Sequence, residues 1–231
     1  MGEYGVLEDG RAIHPEYNDS IHYLNNKIIA AEDVEIGLGW DFGNTPACAV
    51  VQLMPNGQLV VIDEFWTEYM SLRDFAGNIV VPQLDKKYPW WRGNYISYHD
   101  PSGTSMNEMG GNSGSILEES GVTSYPAASN KPVLRRDALK YFLTRMPGGV
   151  PSFLLSSNTQ MIREGLMGKF KYKLIKSTSM SDEKGYEDKP DKNMHSHICE
   201  SLEYIAMAYA GVSKQPIAKK SFLIDKKWGC S

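Results

Sequence analysis

The sequence is poor in cysteine: Cys48, Cys199 and Cys230 are the only thiols in 231 residues, and no two share a C-x-x-C spacing. That pattern argues against a disulfide framework or a zinc site and makes a reducing cytosol the default compartment. Long apolar runs are also missing. The longest strictly apolar run, Tyr204 to Ala210, has seven residues, far short of the ~20 that span a bilayer. The N-terminal Met-Gly-Glu-Tyr-Gly lacks a basic-then-apolar signal. Positive charge is not in excess either, since the net charge is -4, so a nucleic-acid partner has to be argued from local patterning. There is no G-x-x-x-x-G-K-[ST] phosphate loop, no G-x-S-x-G elbow, and no Rossmann spacing in the glycine-rich stretch 103–114. Nor is there the bias of a disordered chain: 42% of residues are hydrophobic and 23% charged, which is ordinary globular composition. The length suits one large domain, or one domain with extensions.

Three regions follow from the patterning. Residues 1–34 are polar and irregular and read as an arm or linker. Residues 35–212 carry the periodic signal, and 213–231 form a Lys-rich tail. From Glu35 the apolar residues Ile36, Leu38, Trp40 and Phe42 alternate with Gly37, Gly39, Asp41 and Gly43, a strand period. Two further strands, Ala47 to Leu53 and Leu59 to Trp66, flank the turn Pro55-Asn56-Gly57, so an antiparallel meander is expected. A helix from Leu72 is expected to kink or end at Pro82. Strands at 95–99, 122–125 and 153–155 alternate with helices at 115–120, 132–145 and 159–166, the second of these capped by Asn130. Lys169 to Ile175 alternates again. A final helix runs from His195 to Ala210 and stops at Gly211. The order predicts an α/β fold with a mixed central sheet.

Asp41 is the most informative residue. A carboxylate inside a central strand is costly unless it is paired or bound to metal, and the glycines beside it leave room for a close ligand backbone. Asp100 ends the strand Tyr95–His99, at the carboxyl end where ligands gather in α/β sheets. Together they suit a hard divalent cation, and Glu64 is a further candidate. In the last helix Ile198, Leu202, Ile205 and Tyr209 form an apolar stripe, with Glu200, His197 and Tyr204 on the other face; an acid in the first turns is favoured by the helix dipole. Asp191, just before this helix, could also reach a metal. Lys169, Lys171, Lys173 and Lys176 interleave with two aromatics and no acid, a pattern that suits either a phosphate backbone or a lysine-protected sheet edge. Arg135 and Arg136 on the helix from Pro132 add basic charge.

These residues resemble a known family. Gly39-Trp40-Asp41-Phe42-Gly43-Asn44-Thr45-Pro46-Ala47 resembles the first strand of the nuclease domain of phage terminase large subunits. Tyr98-His99-Asp100-Pro101 resembles its middle acidic motif, and the segment Lys189 to Tyr204 its late motif, in which a histidine precedes an acid that opens a helix. The likeness covers about residues 35–210. The chain departs from the family by carrying Glu200 where Asp is usual, which lengthens the ligand arm. The resemblance implies an RNase H-like fold with an added β-hairpin, and two-metal cleavage of concatemeric double-stranded viral DNA during genome packaging. Asp41 would bridge two Mg2+ or Mn2+ ions, Asp100 and Glu200 would hold one each, and Lys189 or Lys192 would steady the scissile phosphate. It also implies a separate ATPase domain in the full-length protein, with residues around Pro15 to Asn18 as the former interdomain linker, the portal and small terminase subunit as partners, no membrane, and the cytoplasm of the infected host. Three other readings stay open: a RuvC-like resolvase or transposase core, an actin-like ATPase using Asp41-Phe42-Gly43-Asn44-Thr45 as a phosphate loop, and a non-catalytic portal-docking module.

Overall fold

The computed structural model describes residues 10–42, 45–104, 112–175 and 185–211. Gly43, Lys176 and the Lys-rich tail lie outside them. The described chain opens with a short strand, β1 (Gly10–Ala12), and a one-turn helix, α1 (Asp19–His22), whose first turn is capped by the Asn18 side chain. The expected meander follows as β2 (Ile36–Asp41), β3 (Ala47–Leu53) and β4 (Leu59–Trp66), all antiparallel. The next helix does not end at Pro82. It runs as α2 (Leu72–Asp74), a π-helical turn (Phe75–Val80) and α3 (Val81–Lys87). The wide turn sets Pro82 in the first turn of α3, where its missing N–H costs little.

β5 (Tyr95–His99), α4 (Ser113–Glu119) and β6 (Tyr125–Pro126) come next, then α5 (Pro132–Leu143). Asn130 does not cap α5. Its side chain accepts from Arg135 and Tyr204 instead. β7 (Phe153–Leu155) and α6 (Gln160–Glu164) lead into a second π-helical turn (Gly165–Lys169). The hairpin β8 (Lys171–Leu174) and β9 (Tyr186–Pro190) precedes the last helix, α7 (Met194–Tyr209). Gly211 follows α7 at φ +75°, a left-handed stop suited to glycine.

The central sheet has the order β6-β5-β2-β3-β4-β7, with β5, β6 and β7 joined in parallel and the meander antiparallel. Ile36, Leu38 and Trp40 point to one face and pack with Phe75, Leu84 and Trp91. The other face carries Ala47, Ala49 and Val51 and receives Ile198, Leu202 and Ile205 of α7. Burying each of these large aliphatic side chains stabilises the fold by about 1.5–3 kcal/mol.

The glycines of β2 make this second layer possible. A Cβ on Gly39 would stand 2.1 Å from the Ser201 carbonyl oxygen, and one on Gly37 2.8 Å from the Tyr209 hydroxyl. The room they leave is filled by α7, not kept for a ligand. The helix backbone therefore rests directly on the strand that carries Asp41.

Residues 10–24 pack closely on the rest. β1 pairs with β8, the Ile13 N–H donates to the Phe170 carbonyl at 3.0 Å, and Ile13, His14, Tyr17 and His22 are all buried.

Candidate metal centre

β2 and β5 run in parallel, and their last rung pairs Trp40 with His99. One step further, the Asp100 N–H donates to the Trp40 carbonyl at 3.1 Å. Asp41 and Asp100 thus leave the sheet side by side at the carboxyl ends of their strands. Asp100 is half-buried, and its Oδ1 accepts from the Ser102 N–H at 2.9 Å.

The third element is the start of α7. Asn193 and Ser196 form a reciprocal capping box that fixes where the helix begins. His197 and Glu200, three residues apart, then share a face. Because Gly39 admits α7 so closely, that face meets the end of β2. Ligand atoms of Asp41, His197 and Glu200 all lie within 4.8 Å of one another. His197 Nδ1 is 2.7 Å from Asp41 Oδ2.

Asp41 is 3% exposed. Burial pushes its carboxyl up to about 6, and the Glu200 charge adds to the rise, while His197 and Lys192 oppose it. Glu200 is equally buried and is held between two cations: Arg135 Nη2 lies 3.2 Å from Oε1, and Lys192 Nζ pairs with Oε2. Tyr204 completes the wall. It accepts from Arg135 and donates to Asn130 Oδ1 at 2.9 Å. Burial drives its hydroxyl pKa far up; Arg135 opposes this, and the charges of Asp100, Asp41 and Glu200 add to it.

The donor set is two buried carboxylates and an imidazole; Asp100, on the neighbouring strand, is not one of the three residues whose ligand atoms cluster, and its Oδ1 is engaged by the Ser102 N–H. The set fits a divalent cation: carboxylate oxygens suit hard ions such as Mg2+ and Mn2+, and imidazole suits transition metals.

Other candidates stand elsewhere. Glu64, in β4, accepts from the Met161 and Ile162 N–H groups at 2.8 Å each and so caps α6; burial raises it to about 7. Asp191 pairs with Lys173 at 2.7 Å, and Lys169 with Glu164. Lys171 lies half-buried on β8 and Lys189 exposed on β9. Arg136 donates to the Tyr172 hydroxyl and stacks on that ring at 5.2 Å. Arg135 points inward, 4% exposed, toward Glu200, Glu203 and Tyr204.

The counter-charge role of Arg135 was missed from sequence, yet a signal existed. Arg135, Ala138, Leu139 and Phe142 sit at one helical stripe, and all are buried. An arginine on an apolar stripe implies a buried acid as partner.

A mixed six-stranded sheet with helices on both faces and acids at the ends of adjacent parallel strands is an RNase H-like architecture. More narrowly, the chain has the fold of phage large-terminase nuclease domains. It superposes on the large terminase of a thermophilic bacteriophage with a TM-score of 0.60 at 14% identity, covering 87% of this chain and 45% of that one. With the P22 large terminase nuclease domain the TM-score is 0.57 at 9% identity, over 86% and 93% of the two chains. With the large terminase nuclease of thermophilic phage G20c, solved with bound cobalt, it is 0.52 at 14%, over 87% and 97%. The chain thus spans less than half of the first of these proteins and nearly all of each isolated nuclease. No family model and no curated protein sequence matches it. Among the described residues, no helix is long and apolar enough to cross a membrane.

Proposed function

We propose that the chain is the nuclease unit of a phage packaging terminase, a metal-dependent endonuclease that hydrolyses phosphodiester bonds in concatemeric double-stranded viral DNA. The observation that carries this reading is the meeting of Asp41, His197 and Glu200 within 4.8 Å, beside Asp100, in a fold shared with terminase nucleases. Asp41 would serve two Mg2+ or Mn2+ ions, and Asp100 and Glu200 one each. Bound there, the ions would activate a water and neutralise charge on the phosphate and the leaving 3′ oxygen.

The chain's own residues set the conditions for this chemistry. Burial raises the proton affinity of Asp41, so proton and cation compete for one carboxylate. His197 holds Asp41 Oδ2 and limits that rise. Arg135 fixes Glu200 Oε1 from the protein side, while Oε2 meets the exposed Lys192. Lys192 is a flexible ammonium, free to exchange Glu200 for the scissile phosphate once that carboxylate is neutralised; Lys189 is a second phosphate contact.

Lys169, Lys171, Lys173 and Arg136 line the hairpin side and would follow the DNA backbone. Exposed ion pairs such as Lys173–Asp191 are worth only about 0–1 kcal/mol, so phosphates can displace the acids. The wider setting follows the likeness to the longer large terminase: an ATPase domain in the same protein, the portal and small terminase subunit as partners, and the host cytoplasm as the place of action.

Digestion of supercoiled plasmid tests the reading. Nicked and linear products are expected with Mn2+, at least as strongly as with Mg2+, and none with excess EDTA. Robust digestion in excess chelator would overturn it.

A further inference from the structure

A buried chain of polar and ionisable side chains joins the N-terminal segment to the candidate centre. His14 is 2% exposed, and its Nε2 lies 2.8 Å from Glu203 Oε1. Glu203 is fully buried on α7, one turn after Glu200. Its other oxygen, Oε2, stands 3.3 Å from Arg135 Nε. Arg135 Nη2 in turn stands 3.2 Å from Glu200 Oε1. One guanidinium therefore serves two buried carboxylates.

The sharing is unequal. The Arg135 Nε and Glu203 Oε2 atoms are close but not aligned for a hydrogen bond, and neither has another partner. Arg135 does make the hydrogen bond to Glu200. Glu203 tolerates this because His14 supplies its other partner. Without His14, a wholly buried carboxylate would depend on Arg135 alone, at a desolvation cost too large to leave uncompensated. The guanidinium would swing toward Glu203, and Glu200 would lose the contact that orients Oε1.

We propose that His14 is a positioning residue for Glu200, acting through Glu203 and Arg135, so that docking of the N-terminal segment sets the cation affinity of the candidate centre. This rests on the reading of Glu200 as a cation ligand. The backbone supports the coupling. β1 and Ile13 tie the same segment to β8 and Phe170, immediately beside the hairpin that leads into α7.

Calorimetric titration of Mn2+ into wild type, His14→Ala, His14→Gln and His22→Ala tests it. Groups that orient metal ligands typically contribute about 10–100-fold to affinity, so His14→Ala is expected to bind Mn2+ about tenfold more weakly. His14→Gln retains an N–H donor at a similar reach and is expected to restore most of that loss. His22 controls for simple loosening of the segment. It is also buried, accepting from the Asn18 N–H at 2.9 Å and lying edge-on to Phe153, but it touches neither Glu203 nor Arg135. His22→Ala is expected to lower the melting temperature and leave Mn2+ affinity unchanged. Should His14→Ala fail to fold, His14→Asn, too short to reach Glu203, takes its place. Wild-type affinity in His14→Ala, no rescue by glutamine, or an equal loss in His22→Ala would overturn the proposal while leaving the metal reading intact. No Mn2+ binding by wild type would overturn both.

Discussion

His197 Nδ1 stands 2.7 Å from Asp41 Oδ2 and so ties the N-terminal part of α7 to the end of β2. The contact holds down a carboxyl that burial has pushed up to about 6. Removing it with His197→Ala raises the proton affinity of Asp41 further, and a cation must then displace a more tightly held proton. Mn2+ binding is expected to survive at pH 8 and weaken at pH 6.5, with the pH midpoint for binding moved up by about one unit. Calorimetric titrations at several pH values check this. A profile that does not move would show that His197 has no hold on Asp41.

Asp41→Asn separates stability from activity. The folded-state pKa of Asp41 lies near 6, above its usual value of 3.8. The native state therefore binds more protons than the unfolded state between those values, and stability falls as pH rises from 3.8 through 6. Asparagine mimics the neutral form. In the absence of cations the variant is expected to be more stable than wild type at pH 8, by up to about 3 kcal/mol for a shift from 3.8 to about 6, with little gain at pH 4. Plasmid cleavage is expected to fall to background. Thermal denaturation at the two pH values reads the first claim and a digestion assay the second; a variant that cuts normally would reduce Asp41 to a structural residue.

Lys192 and Glu200 are partners with opposite expected effects. Glu200→Gln removes a ligand and leaves Arg135 facing the Glu203 carboxylate alone, so Mn2+ affinity and cleavage are both expected to fall. Lys192→Ala removes a competitor for Glu200 Oε2. Mn2+ is expected to bind as tightly as in wild type or tighter, while cleavage drops about tenfold or more for want of a phosphate contact. If Lys192→Ala loses Mn2+ binding, its role is to organise the ligands.

The hairpin lysines are expected to reveal themselves in salt dependence. Each phosphate contact on duplex DNA contributes about -0.9 to the slope of log affinity against log salt. Replacing Lys169, Lys171 and Lys173 together with alanine is expected to flatten that slope by about 2.7. Filter binding or fluorescence anisotropy over a salt series measures it. An unchanged slope would leave these residues as guards of a sheet edge.

Much of the architecture was legible because it is written in short-range period. The meander from Ile36 to Trp66, the closing Gly211 and the apolar stripe Ile198–Leu202–Ile205 need no long-range information. The environment of Glu200 was less legible. Its two cations come from Arg135 on α5 and Lys192 just before α7, and its indirect partner His14 lies in a segment whose polar, irregular sequence reads as a linker. Glu64 illustrates the same limit. Alone it reads as a ligand candidate or an exposed strand residue, and only the fold shows two backbone N–H groups of α6 seated on its carboxylate. Gly37 and Gly39 signalled a close approach, but a strand cannot announce that the approaching backbone is its own last helix.

Anomalous scattering from crystals soaked in Mn2+ tests the central claim most directly. The expected result is difference density beside the Asp41 carboxylate, with Glu200 and Asp100 oxygens at about 2.1 Å, the coordination distance of a small hard cation, and none in crystals of Asp41→Asn. Density confined to other surface carboxylates, or a peak that persists unchanged in Asp41→Asn, would contradict it.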